Sequence, residues 1–288
     1  MNGAPCGERS GTGGPQVRRS APSLHPMVEP LVLFLAGLVI GALGTLVGAG
    51  GGWMIVPLLL LGFDFPPQEA VGTSLAVVFV SAVSGSIAYL AQRRVLVQMA
   101  LAFGLATIPG TLIGVRLIQH VGSTGFSVLF GAFLLSLALF LYKGNQVALF
   151  SRFHAAGQGH EDIQSLRSPR MRLGILVSFS VGILSSLFGV GGGIVHVPFL
   201  ILVLGLPVHV ATATSQFALA ITSLAGMLGF LWRSEVVIPV AASMGLGVLI
   251  GAQAGAHFSR RIGSEPIRRT LAVLMMLSAI RLILRVVF

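Results

Sequence analysis

Three kinds of residue in this chain could handle a small ion inside an apolar medium: a doubled glycine cluster, paired hydroxyls and one histidine. The cluster Gly48-Ala49-Gly50-Gly51-Gly52 returns 141 residues later as Gly189-Val190-Gly191-Gly192-Gly193. Adjacent glycines disfavour a helix. Within a bilayer, the backbone groups they free are tolerated only where protein or a water-filled cavity satisfies them. Each cluster runs into a short apolar stretch that contains a proline, Pro57 or Pro198. A half-helix beginning at Gly50-Gly51-Gly52 or at Gly191-Gly192-Gly193 would aim N–H groups and a positive dipole end at the membrane interior. That arrangement suits an anion. The competing account is a seam for close helix packing, although three adjacent glycines exceed what such a seam needs.

The hydroxyls follow each cluster at one spacing. Thr73-Ser74, Ser81 and Gly85 in the first part match Thr214-Ser215, Thr222 and Gly226 in the second. A hydroxyl can donate to an oxyanion without fixed charge. It can equally bond between helices or back to its own i−4 carbonyl. Gln216 matches an apolar residue, Leu75, and so marks an asymmetry. His196, which matches Ile55, is the one ionisable residue beside the second cluster. It would pair with an anion, relay a proton, or sit neutral on a freed carbonyl. The candidate substrate contacts are therefore Gly50, Gly51, Gly52, Thr73, Ser74, Gly191, Gly192, Gly193, His196, Thr214, Ser215 and Gln216. No catalytic residue, metal ligand or cofactor is expected.

The elements that must position these residues are membrane helices. The chain is 55% hydrophobic and 9% charged, with mean hydropathy +0.94, a balance foreign to soluble domains. Its apolar runs are continuous rather than alternating, so an all-α polytopic membrane protein is expected and a β-barrel is not. Eight spans fit, near 31–48, 68–91, 96–118, 124–142, 173–190, 208–232, 236–258 and 267–287. Segments 49–61 and 190–204 are left over. At about 20 Å as helix they are too short for ordinary spans, and read as re-entrant pieces or as second halves of broken helices.

The 141-residue offset aligns the two parts without a gap from about Gly41 to Gly122. It pairs Pro57 with Pro198, Pro66 with Pro207, Gly110 with Gly251 and Gly114 with Gly255. Matches of Gly, Pro and Thr-Ser are not what unrelated apolar helices would share. The expected organisation is a disordered tail at 1–29, a membrane repeat at 30–142, a polar linker at 143–172 and a second repeat at 173–288. The repeats would be homologous four-helix units, each with a glycine-broken segment. Four spans per repeat would make them parallel; a full extra crossing at the glycine segment would make them inverted. Met27, just before the first apolar run, is a candidate start.

The formal charge of +10 comes from basic residues scattered in loops, which are topology signals and not a nucleic-acid surface. With eight spans and the N-terminus inside, the split of Lys and Arg is 13 to 5, with Arg260, Arg261, Arg268 and Arg269 on the disfavoured side. The single cysteine, Cys6, can build neither a disulfide nor a metal site. No GxxxxGK[ST] loop is present, which disfavours an ATP-driven pump. No carboxylate lies deep in a span, which disfavours a cation exchanger.

At the paired G-x-G-G-G-x-x-x-x-P motifs, each followed by Thr-Ser (Gly48 to Ser74 and Gly189 to Ser215), the chain resembles the TauE/SafE family of sulfite and organosulfonate exporters. The resemblance extends over nearly all of residues 31–288. It implies a multi-pass permease of the bacterial inner membrane for a small sulfur-containing anion. The expected function is thus a secondary transporter for a small anion, not an enzyme. A passive channel, or a carrier of an unrelated solute or metal ion, is the alternative. The expected partners are the anion and the bilayer, with a homo-oligomer left open.

Overall fold

The computed structural model describes residues 28–142, 169–259, 273 and 275–284. Ten α-helices are described there: α1 (Val28–Val47), α2 (Gly52–Gly62), α3 (Pro67–Ala91), α4 (Val97–Leu117), α5 (Ser123–Tyr142), α6 (Pro169–Phe188), α7 (Gly193–Leu202), α8 (Val208–Leu231), α9 (Ile238–Phe258) and α10 (Met275–Leu284). The tail before residue 28 and most of the linker lie outside the described residues.

Six of these helices are long and apolar enough to cross a membrane: α1, α3, α4, α6, α8 and α9. The apolar stretches Ser123–Leu139 and Met275–Leu284 are shorter. The eight expected spans are therefore reduced to six by length and hydropathy among the described residues. The leftover segments 49–61 and 190–204 contain the short helices α2 and α7.

Local sequence explains where the helices begin. Pro66 and Pro207 adopt the extended conformation just before α3 and α8. Pro67 then occupies the first turn of α3, where its missing N–H has no intrahelical partner to lose. The half-helices start on Gly51 (φ 81°) and Gly192 (φ 70°), a left-handed geometry open to glycine at little cost.

Glycine also fixes the helix pairs. A β-carbon at Gly41 would press on Val248, and one at Gly251 or Gly255 would strike the carbonyl of Leu38 or Ala42. These contacts advance together along both chains, so α1 and α9 run parallel. In the same way Gly110 abuts Phe179 and Gly114 abuts Ile183, so α4 and α6 run parallel. Lipid tails are as apolar as leucine, so such close backbone approach, and not burial from water, holds membrane helices together. The central pair runs the other way. Gly72 touches Phe230, Gly226 touches Leu75 and Gly85 touches Gln216, which makes α3 and α8 antiparallel.

That antiparallel pair fixes the course of the glycine segments. Gly48 lies against Thr212, near the start of α8, while α2 ends just before α3 begins. The starts of α3 and α8 are at opposite ends of the bundle. Residues 48–62 therefore carry the chain from one end to the other, first as loop and then as helix. Large apolar side chains such as Leu35, Leu105, Leu228 and Leu246 point outward. Trp53, Phe103, Phe126 and Phe230 fill the interior.

Candidate functional site

The two glycine segments cross each other at the centre of the bundle, antiparallel and buried throughout. A β-carbon on Gly52 would strike the carbonyl oxygen of Gly189; one on Gly193 would strike the carbonyl oxygen of Gly48. Between these contacts, Gly50 and Gly191 both rest on the same two side chains, Val78 and Leu219. Val78 and Leu219 stand near the midpoints of α3 and α8, so the crossing lies at mid-depth. The amides of Ala49 and Gly50 donate to the carbonyl of Gly44 (2.9 and 3.2 Å), which closes the end of α1. In this conformation close packing accounts for Gly52 and Gly193, and backbone geometry for Gly51 and Gly192.

The four paired hydroxyls staple this crossing to its neighbours. Ser74 Oγ donates to the carbonyl of Gly189 at 2.8 Å, and Ser215 Oγ donates to that of Gly48 at 3.3 Å. Thr73 Oγ1 accepts the amide of Val237 at 3.0 Å, and Thr214 Oγ1 accepts that of Leu96 at 3.2 Å. The threonines thus fasten the segments that lead into α9 and α4. All four side chains are fully buried.

Gln216 is placed differently. Its Nε2 donates to the carbonyl of Ser81 (3.3 Å) and reaches Thr45 Oγ1 at 3.5 Å. Its Oε1 has no partner, and neither does the hydroxyl of Ser81 beside it. The carbonyl of Ser81 accepts only a donor, so the amide is oriented with Oε1 turned away from it. At the matching place on the other side, Leu75 packs over Gly226, and Thr222 shares a 2.7 Å hydrogen bond with Thr107. One side keeps the unanswered oxygens of Gln216 and Ser81; on the other, Thr222 is satisfied, and the unanswered atom is the hydroxyl of Thr111, whose methyl group lies beside Gly226.

His196 sits one turn into α7, with its ring turned toward α6 and α4 rather than toward the crossing. Its Nε2 lies 3.0 Å from Ser178 Oγ, and that hydroxyl donates to the carbonyl of Gly174 at 2.7 Å. Ser178 must then accept from His196, which puts the ring proton on Nε2 and leaves Nδ1 as an acceptor with no partner. Phe103 stacks on the ring with centroids 6.2 Å apart.

Sequence reasoning missed Ser178, Thr45 and Ser185. The Ser185 hydroxyl is buried without a partner, and its side chain lies against Gly192. Ser178 and Ser185 match glycines, Gly37 and Gly44, at the 141-residue offset, and a hydroxyl opposite a glycine was a usable signal. Among the described residues no Asp, Glu, Lys or Arg is buried; the buried polar side chains include Ser, Thr, Gln and His, and the Tyr89 hydroxyl, which donates to the carbonyl of Thr45 at 2.9 Å. No group of three or more His, Cys, Asp or Glu there could hold a metal.

Long apolar helices around a buried, uncharged and glycine-rich centre define a multi-pass helical membrane protein. The family model described as "Sulfite exporter TauE/SafE" matches residues 33–282, and the chain belongs to that family of membrane transporters. It is 30% identical to "Probable membrane transporter protein YunE" of Bacillus subtilis (strain 168), over 90% of this chain and 98% of that relative. It is 27% identical to "Probable membrane transporter protein MJ0441" of Methanocaldococcus jannaschii, over 82% of this chain and 89% of the relative. No solved structure matches the chain.

Proposed function

We propose that this chain is a secondary transporter that carries a small anion across the bacterial cytoplasmic membrane, with sulfite or an organosulfonate as the cargo. The carrying observation is the central crossing. Two half-helices begin there, at Gly52 and Gly193, from opposite sides. First-turn N–H groups of a helix lack intrahelical acceptors and carry its positive dipole end. No carboxylate is buried there among the described residues, and the Thr-Ser hydroxyls are held by backbone groups, so an anion at the crossing would meet helix-end N–H groups and no opposing charge. The sulfur chemistry is drawn from the family's description, and Gln216 with Ser81 supplies the polar atoms that would read the cargo.

The helix directions favour two inverted repeats of five crossings each, with the glycine segments as crossings in their own right. The repeats would rock about the α3–α8 pair to expose the crossing alternately to either side. Flux in proteoliposomes tests the reading with sulfite, methanesulfonate, sulfate and a divalent metal. Saturable anion uptake with counterflow is expected. Non-saturating flux would make the protein a channel, and movement of the metal alone would overturn the anion assignment.

A further inference from the structure

A second site lies on the lipid-facing flank, away from the glycine crossing. A groove of about 560 Å³ runs between α4 and α8. These two helices run parallel, as Gly104 against Ile221 and Gly229 against Val115 require. The walls of the groove are apolar and outward-facing, including Leu112, Leu224 and Leu228. One end is not apolar: Arg116, Trp232 and Arg233 gather there, at the last turn of α4 and just past α8. Trp232 is 93% exposed, as a residue at a membrane–water interface would be.

The charges at that end nearly balance. Glu235 stands 3.9 Å from Arg233 Nε and also accepts from Gln119 at 2.8 Å. Arg116 has no ion-pair partner among the described residues, and only its carbonyl is engaged, by His120 at 3.1 Å. Two guanidinium groups against one carboxylate leave a single positive charge beside an acyl-sized apolar groove. That is the complement of one phosphodiester monoanion carrying acyl chains.

We propose that the α4–α8 groove holds one anionic phospholipid, its phosphate between Arg116 and Arg233 and an acyl chain along Leu112, Leu224 and Leu228. Guanidinium groups suit phosphate oxygens, which they can grip in pairs. The site is one-sided. At the 141-residue offset, Arg116, Trp232 and Arg233 correspond to His257, Ala91 and Gln92, and the Gln92 amide is committed to the carbonyl of Ala256 at 3.3 Å. α4 lies in the first half of the chain and α8 in the second, so the lipid would strap together two elements that the proposed rocking must move. The lipid site itself rests on the groove and its charges and does not depend on the anion reading.

Native mass spectrometry of the full chain, from detergent and from nanodiscs that mix phosphatidylglycerol and phosphatidylcholine, tests the proposal. One retained phosphatidylglycerol per chain is expected, with retention about tenfold weaker in the Arg116→Gln/Arg233→Gln double variant, in line with the loss of a charge-assisted contact. The Arg116→Lys/Arg233→Lys variant should recover part of it. Equal retention of phosphatidylcholine by the unaltered protein would overturn the site, and that comparison needs no variant to fold. Undiminished binding in the glutamine variant would overturn it too. So would crosslinking of Leu112→Cys to Leu224→Cys between two copies, which would make the groove an interface between protein chains.

Discussion

The hydroxyl of Ser74 bonds the carbonyl of Gly189 at 2.8 Å, and Ser215 places the matching bond on Gly48 at 3.3 Å. Each central helix thus grips the glycine segment of the opposite half. The two halves are not neighbouring bodies that touch along a face; each supplies part of the other's interior.

Removing one grip leaves a buried carbonyl without its donor. Ser74→Ala and Ser215→Ala should each cost about 1–3 kcal/mol, with Ser74→Ala the larger effect because its bond is shorter. Thermal unfolding in detergent reads this directly. Equal stability of both variants and the unaltered protein would deny the staple.

The glycines differ in what they tolerate. Gly52→Ala and Gly193→Ala place a methyl group on a carbonyl oxygen of the partner segment. Forced overpacking costs about 1–3 kcal/mol, so both should lower the unfolding temperature. Gly62→Ala, where an added β-carbon would meet Leu58 Cδ1 at an ordinary 3.6 Å, should not. A crossing that opens widely in the resting protein would show no such contrast.

Gln216→Leu copies the arrangement of Leu75 over Gly226. It removes the unpartnered amide oxygen and the weakly bonded Nε2 together. Relief of the unpartnered Oε1 offsets the loss of the long 3.3 Å bond to the Ser81 carbonyl, two opposing effects of similar size. Stability should therefore change by less than about 1 kcal/mol, while the ranking of sulfite against methanesulfonate in proteoliposome uptake should change. An unchanged ranking would remove Gln216 from the binding site.

The proposed ten crossings would change the side on which each loop falls. Arg93 and Arg94, the basic residues of 143–172, and Arg260, Arg261, Arg268 and Arg269 then share one side, which makes eleven of the eighteen Lys and Arg. The positive-inside rule assigns that side to the cytoplasm. Single cysteines at Gln92 and at Ser234, in a Cys6→Ser background, should label from opposite sides with a membrane-impermeant maleimide, Ser234 from outside. Labelling of both from one side would refute the ten-crossing course.

Much of this was legible in the chain itself. The triple glycines located the half-helices, and the 141-residue offset paired Ser74 with Ser215 and Thr73 with Thr214 before any contact was visible. The partners were not legible. Periodicity says that Ser74 lies on one helix face, but a hydrogen bond to Gly189 joins residues 115 apart and depends on how helices pack. For the same reason the choice between an anion donor and an inter-helix bond at the Thr-Ser pairs was not legible; in this structure all four hydroxyls hold backbone groups of other segments. His196 was noticed for its charge, yet its surroundings are set by Ser178 and Phe103 on two other helices. Two of the eight expected spans, 124–142 and 267–287, correspond to the shorter apolar stretches Ser123–Leu139 and Met275–Leu284, because an apolar run in the sequence does not fix how much of it is helix.

The antiparallel α3–α8 pair has a consequence for energetics. If a two-fold operation exchanges the halves, it also turns the molecule upside down in the bilayer, so an inward-open and an outward-open form would be the same object viewed from either face. Two such forms would have equal free energy were the halves identical. Gradients would set the direction of net flux, and any bias in the resting population of the two forms must then come from places where the halves disagree, among them Gln216 against Leu75, His196 against Ile55, and Arg116 and Arg233 against His257 and Gln92.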